Sequence, residues 1–208
     1  MLQLHWSERK PVLKELLHHI IQTESPPRSL AGQLHDYACV TVLLRGLETS
    51  DLEIGFIQRA INPRDRWSGH IAFPGGRRED SDPDDFHTAI REANEEIGIT
   101  LQPADLVGRL DDIQAQKHGI LLDFFIRPFV FYVESEFPLS LNKDEVADFF
   151  WVPLKDLIHP DKQTFFEALR EEVPVKLPAI HVDRDPPLWG LTYLIVQNLL
   201  KHLKGISL

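Results

Sequence analysis

Three glutamates, Glu92, Glu95 and Glu96, stand at i, i+3 and i+4 in "REANEEIG" (91–98). On a helix, at about 100° per residue, that spacing brings them to one side. Three like charges so placed repel one another, and a merely solvated helix would scatter lysines among them. Here the only cation within the helix is Arg91, placed to pair with Glu95 at i,i+4. A hard divalent ion, Mg²⁺ or Mn²⁺, relieves such repulsion because it takes oxygen ligands. The bland alternative is an acidic solvent face. The glycine turn at Gly75 and Gly76, and an arginine-rich loop before it, weigh against that.

The helix that must carry these acids is predicted over about 83–97. Ser81 or Asp82 is the expected N-cap, Pro83 the first helical residue, and Gly98 the left-handed residue that ends it. Asp82, Asp84 and Asp85 are then explained by the positive end of the helix dipole. Phe86, Ile90, Ala93 and Ile97, flanked by Ala89, form an apolar stripe.

Around it, "PVLKELLHHIIQ" (11–22) predicts an N-terminal helix with Pro11 in its first turn, followed by a turn-rich connector over 23–33. Strands are expected at "ACVTVLLRG" (38–46), "LEIGFIQR" (52–59) and, briefly, "HIAFPGG" (70–76). Two further strands are read in "DLVGRLDDIQAQ" (105–116) and "LLDFFIRPFVFYVES" (121–135). "EVADFFWVPLKDLI" (145–158) reads as a strand or turn leading into a short helix, and 188–203 as an amphipathic C-terminal helix. This order predicts an α/β domain, a mixed sheet sandwiched between helices, formed by the whole of 1–208.

The formal net charge of −10 argues against a nucleic-acid binder, although a local basic patch can still grip phosphate. Cys39 is the single cysteine, so neither an internal disulfide nor a cysteine-based zinc site is expected. No apolar run approaches the length of a membrane span, and the N-terminus lacks the apolar block of a secretory signal. The chain ends "GISL", not the peroxisomal Ser-Lys-Leu address. The cytoplasm is the expected location, with mitochondria and peroxisomes as alternatives.

Taken together, the segment resembles the signature of the Nudix hydrolases. That pattern ends Arg-Glu-apolar-any-Glu-Glu-any-Gly-apolar, and "REANEEIGI" (91–99) fits it at every position. The first half departs: counting back from Arg91, the family glycine falls on Arg77 and the family glutamate on Pro83, so the segment is one residue longer. In this it is similar to the coenzyme A pyrophosphatase branch, where Phe-Pro-Gly-Gly is followed by acids three and six residues on, here Glu79 and Asp82. Arg59, Arg64, Arg66 and Gly69 partly match that branch's upstream signature, with Asp65 where an arginine is expected, and "LWGLTYLI" (188–195) looks like its final helix.

The resemblance implies the Nudix fold, with its signature over 75–99, and hydrolysis of a pyrophosphate in a nucleoside diphosphate derivative. Coenzyme A or an acyl-CoA is the first expectation, giving phosphopantetheine and adenosine 3',5'-bisphosphate. ADP-ribose, a dinucleotide or a nucleotide sugar is the alternative substrate, and a catalytically silent binding module the alternative of another class. Glu92 and Glu96 are the expected metal ligands, with Glu95 a further ligand or bridge and the Gly75 or Gly76 carbonyl another. Arg91 orients the carboxylates. Glu145 completes the metal site or serves as base, ahead of Asp144 and Asp123. Arg59, Arg64 and Arg66 suit phosphate, and His70 approaches the same site. Trp67 is a candidate to stack on adenine or pantetheine, whereas Trp189 reads as helix packing. A homodimer is compatible with the resemblance.

Overall fold

A computed structural model describes residues 6–23, 26–65, 67–117, 119–133, 137–170 and 173–204. In chain order the elements are α1 (Trp6–Thr23), β1 (Tyr37–Arg45), β2 (Glu53–Arg59), β3 (Ile71–Ala72), β4 (Gly75–Arg77), α2 (Asp85–Ile97), β5 (Leu106–Arg109), β6 (Ile113–Lys117), β7 (Ile120–Tyr132), β8 (Val146–Pro153), α3 (Leu154–Ile158), β9 (Gln163–Arg170), β10 (Val173–Ile180), β11 (Leu188–Trp189) and α4 (Gly190–His202).

β1 lies at the centre of the main sheet, in the path β3-β2-β1-β7-β5. It runs parallel to β7 and antiparallel to β2 and β4, so the sheet is mixed. Alternate side chains of a strand point to opposite faces, and here both faces are covered. Val40, Val42 and Leu44 enter one core with Leu13, Leu17 and Ile21 of α1 and Ile195, Val196 and Leu199 of α4. Cys39 and Leu43 enter the other with Ala89, Ala93 and Ile97 of α2. β7 divides likewise, Val130 and Tyr132 to the first core, Phe129 and Phe131 to the second. The unbroken burial of residues 39–44 follows from this two-sided packing. Small Ala89 and Ala93, both fully buried, let α2 lie close to the sheet; a larger residue there would overpack it, at about 1–3 kcal/mol.

Several sequence expectations need correction. α2 is capped by Asp84, whose carboxylate accepts from the His87 amide, so the helix begins at Asp85, past Pro83. Gly98 does end it in the left-handed conformation, at φ 76°. α1 begins at Trp6, which puts Pro11 inside the helix. The strand expected over 105–116 is two strands, broken at 110–112, where buried Asp112 turns inward to ion pairs. The C-terminal helix starts at Gly190, because Leu188 and Trp189 pair with β10 instead. The β9–β10 hairpin, which forms a second sheet with β11, has no counterpart in the sequence reading.

Candidate functional site

The site is assembled where β4 passes the middle of α2. β4 pairs with β1 through Cys39↔Gly76 and Val40↔Gly75. Gly75 sits at φ 152°, and a Cβ there would run into the Cys39 carbonyl. Its amide donates to Glu96 Oε2 at 2.9 Å. A Cβ on Gly76 would fall 2.5 Å from the Glu92 carboxyl group. Both glycines are therefore required by close approach, one to backbone and the other to a functional carboxylate.

Glu96 is 3% exposed, buried on the sheet side of α2. Burial pushes its carboxyl up to about 8, opposed by the Gly75 amide and reinforced by Glu92. Glu92 is also raised, first by burial, while Arg91 pulls it back. The two charges of this pair are thus taken out of water without a cation sufficient to balance them. Glu95 differs. Its side chain is 55% exposed, and Arg91 Nη1 donates to it at 3.0 Å.

Arg91 is the hub. Nε donates to Asp82 Oδ1 and Nη2 to Asp82 Oδ2, both at 2.9 Å, Nη1 to Glu92 Oε1 at 3.0 Å, and Nη2 to the Arg77 carbonyl at 3.1 Å. The Asp82 side chain is 5% exposed and accepts further bonds from the Glu79 amide and Thr88 Oγ1. These donors hold its carboxyl well below the usual range, Arg91 foremost. Asp82 is therefore an anchor for Arg91, not a helix cap. Glu79 is exposed, with its oxygen 4.0 Å from Arg91. Asp85, assigned to the dipole alone, accepts from Tyr37 Oη and pairs with buried Arg127 of β7, fastening the first turn of α2 to the sheet.

The far end of α2 fixes Glu145. The Ser140 amide donates to the Ile97 carbonyl, Asn142 to Glu96, and Glu145 to Asn142. The Ala60 amide in turn donates to the Glu145 carbonyl at 2.7 Å, tying this turn to the end of β2 beside Arg59. The charge of Glu145 is felt by both Glu92 and Glu96. Asp144 shares the turn, whereas Asp123 lies exposed along β7.

Arg59 also reaches this cluster, lowering the Glu96 carboxyl through its charge. Its guanidinium is bound by Asp65 Oδ2, at 2.6 and 3.1 Å. Arg64 is exposed on the same loop, where its amide bonds Asn62 Oδ1. Arg66 lies outside the described residues. His70 is half-buried, its imidazole pKa lowered by burial, and it packs among rings: Trp189 at 5.2 Å, Trp67 at 5.7 Å and Phe166 at 6.1 Å. Trp189, expected in helix packing, belongs to this ring cluster. Nothing in the sequence pattern pointed to Phe166.

The donors fit a hard divalent cation. They are all oxygen, two of them buried carboxylates, with backbone carbonyls alongside made accessible by glycine. Among the described residues no three histidine, cysteine or acidic side chains are gathered into a closed cage. That agrees with Mg²⁺, which keeps waters and is commonly held by one or two carboxylates plus substrate phosphates.

The NUDIX domain pattern matches residues 38–171. Protein C14C4.10c of Schizosaccharomyces pombe is 41% identical over 172 residues, covering 73% of this chain and 52% of its own length. The peroxisomal coenzyme A diphosphatase NUDT7 of mouse is 36% identical over 95 residues, covering 46% of this chain and 38% of its own length. The chain thus spans about half or less of these two curated relatives. Among solved structures, a MutT/nudix family protein from Enterococcus faecalis aligns with 97% of this chain and 76% of its own, at TM-score 0.56 and 18% identity, a likeness of fold.

Proposed function

This chain belongs to the NUDIX family, and from that premise we propose that it is a metal-dependent pyrophosphohydrolase acting on a nucleoside diphosphate derivative, coenzyme A or an acyl-CoA first. The observation that carries the activity is the pair of buried carboxylates, Glu92 and Glu96, closed over by Gly75 and Gly76 and clamped by Arg91. The substrate reading is supported by the mouse coenzyme A diphosphatase among the relatives and by the Phe73-Pro74-Gly75-Gly76 turn with its acids at Glu79 and Asp82.

Glu92 and Glu96 would hold Mg²⁺ or Mn²⁺, with the Gly76 carbonyl as neighbour and Glu95 at the rim. A bound divalent ion supplies neutralisation of the diphosphate charge and an acidified water. The remaining work falls to the chain itself. Arg91 keeps the carboxylates aimed, because Asp82 fixes the plane of its guanidinium. Arg59 and Arg64 offer guanidinium donors to phosphate oxygens, Arg59 from a position already fixed by Asp65. Glu145, held beside the pair by the 140–145 turn, takes the proton of the attacking water.

The test is a panel of diphosphates incubated with the purified chain and Mg²⁺ or Mn²⁺: coenzyme A, an acyl-CoA, ADP-ribose, a dinucleoside polyphosphate and a nucleotide sugar. Release of phosphopantetheine and adenosine 3',5'-bisphosphate from coenzyme A is expected. Turnover of ADP-ribose with coenzyme A inert would overturn the substrate, and no turnover of any member would overturn the activity.

A further inference from the structure

Four rings from three separate segments meet beside Arg59. Trp67 comes from the 60–69 loop, His70 from its end, Phe166 from β9 and Trp189 from β11. Phe166 and Trp189 are stacked, centroids 3.9 Å apart and planes 14° from parallel. Trp189 backs Trp67 at 6.0 Å, and the His70 ring meets Trp67 edge-on at 76°. Yet Trp67 remains 47% exposed. An indole braced by other rings while one of its surfaces stays open is rigid and ready to stack.

Its place decides what it faces. Arg59 donates its amide to the His70 carbonyl at 3.0 Å, and the same residue's charge reaches Glu96. Asp65 binds the Arg59 guanidinium through one oxygen and accepts from the Trp67 amide through the other, at 2.9 Å. The phosphate-facing arginine and the open indole are thus positioned by one carboxylate. Two of the rings stand on the β9–β11 sheet, and Trp189 lies beyond the region matched by the NUDIX pattern, 38–171. The brace is an addition of this chain to the shared catalytic frame.

We infer that Trp67, braced by His70, Trp189 and Phe166, is a stacking platform that takes the nucleobase of the diphosphate substrate and so sets specificity. A planar base gains from one open ring face, whereas an alkyl chain gains most from an enclosing groove. The inference rests on the proposed diphosphate chemistry, but base stacking is separable from turnover.

The experiment is calorimetric titration of the full chain with AMP and with ribose 5-phosphate, in chelator, so that no turnover occurs. AMP should bind at least tenfold more tightly than ribose 5-phosphate, as stacking on one aromatic ring allows. Trp67→Ala should remove that difference and Trp67→Phe keep most of it. Phe166→Ala should weaken AMP binding, while Phe165→Ala, one residue along on the opposite, exposed face of β9, should not. With a hydrolysed diphosphate, Trp67→Ala should raise KM about tenfold and change kcat little. Equal binding of AMP by wild type and Trp67→Ala, with both melting alike, would overturn the platform. Trp67-dependent AMP binding without hydrolysis of any diphosphate would overturn the activity and leave the platform standing.

Discussion

Asp82 and Arg91 are joined by two parallel hydrogen bonds, Nε to Oδ1 and Nη2 to Oδ2, each 2.9 Å long. The carboxylate is nearly buried, and the same guanidinium reaches Glu92 and Glu95. Removing one partner of such a pair leaves the other uncompensated, which costs about 3–5 kcal/mol where both are buried. Arg91 is 20% exposed, so the lower end applies. Asp82→Asn should therefore lower stability by about 3 kcal/mol and turnover by at least tenfold. Denaturant titration and steady-state kinetics check this.

The same clamp predicts an acid limit. Asp82 is depressed below its unfolded value of about 3.9, so its stabilisation is fully present above that pH. It is lost as pH falls further, through the folded-state value. Between pH 5 and 2 the wild type should lose more stability than Asp82→Asn, narrowing their gap. Equal slopes in melts over that range would sink this account.

The two glycines should respond differently to alanine. At Gly76 backbone conformation is ordinary, and the added methyl meets only the Glu92 carboxyl group. Gly76→Ala should fold, with Mn²⁺ affinity reduced at least tenfold, because the carboxylate must move aside. At Gly75 the methyl meets the β1 backbone and φ is positive, so Gly75→Ala should lose stability by several kcal/mol or fail to fold. Calorimetric Mn²⁺ titration beside thermal melts separates the two effects.

Arg59 should govern substrate affinity more than chemistry. Its guanidinium is already oriented by Asp65, so Arg59→Lys loses the fork as well as the fit. Arg59→Ala should raise KM for the diphosphate about tenfold or more, with Arg59→Lys intermediate. A change confined to kcat would place Arg59 elsewhere in the reaction.

The helix and its acids were legible because periodicity is local: the Glu92 and Glu96 spacing, the Ala93 and Ile97 stripe and Gly98 all lie within a few turns. Long-range pairing was not. Asp82 reads as a cap by position, and only the fold shows Arg91 reaching back nine residues to claim it. Arg127 carries no signal in a hydrophobic strand, yet it binds Asp85 and Asp112. The β9–β10 hairpin escaped notice because its apolar residues face both ways. Phe165 and Leu169 are exposed while Phe166 packs on Trp189, and Pro174 and Pro178 interrupt the usual strand composition. Without that hairpin, half of the ring cluster around Trp67 had no address.

Glu96 offers the sharpest separation of stability from function. Its carboxyl is raised by burial above the unfolded value, so the folded state holds a proton that the unfolded state gives up. In chelator, stability contributed at this position is present at low pH and declines from the unfolded pKa of about 4.3 up to the folded value of about 8. The amide introduced by Glu96→Gln cannot ionise and keeps an acceptor for the Gly75 N–H. In metal-free buffer at pH 8, Glu96→Gln should therefore melt at or above the wild type, and the two should converge toward pH 5. Saturating Mn²⁺ should reverse the order, because a bound ion stabilises only the chain that retains the carboxylate. Turnover of Glu96→Gln should fall by at least a hundredfold throughout. Melting curves at two pH values with and without Mn²⁺ test this, and a variant less stable than wild type in chelator at pH 8 would show that Glu96 is balanced by a protein cation, not awaiting a metal.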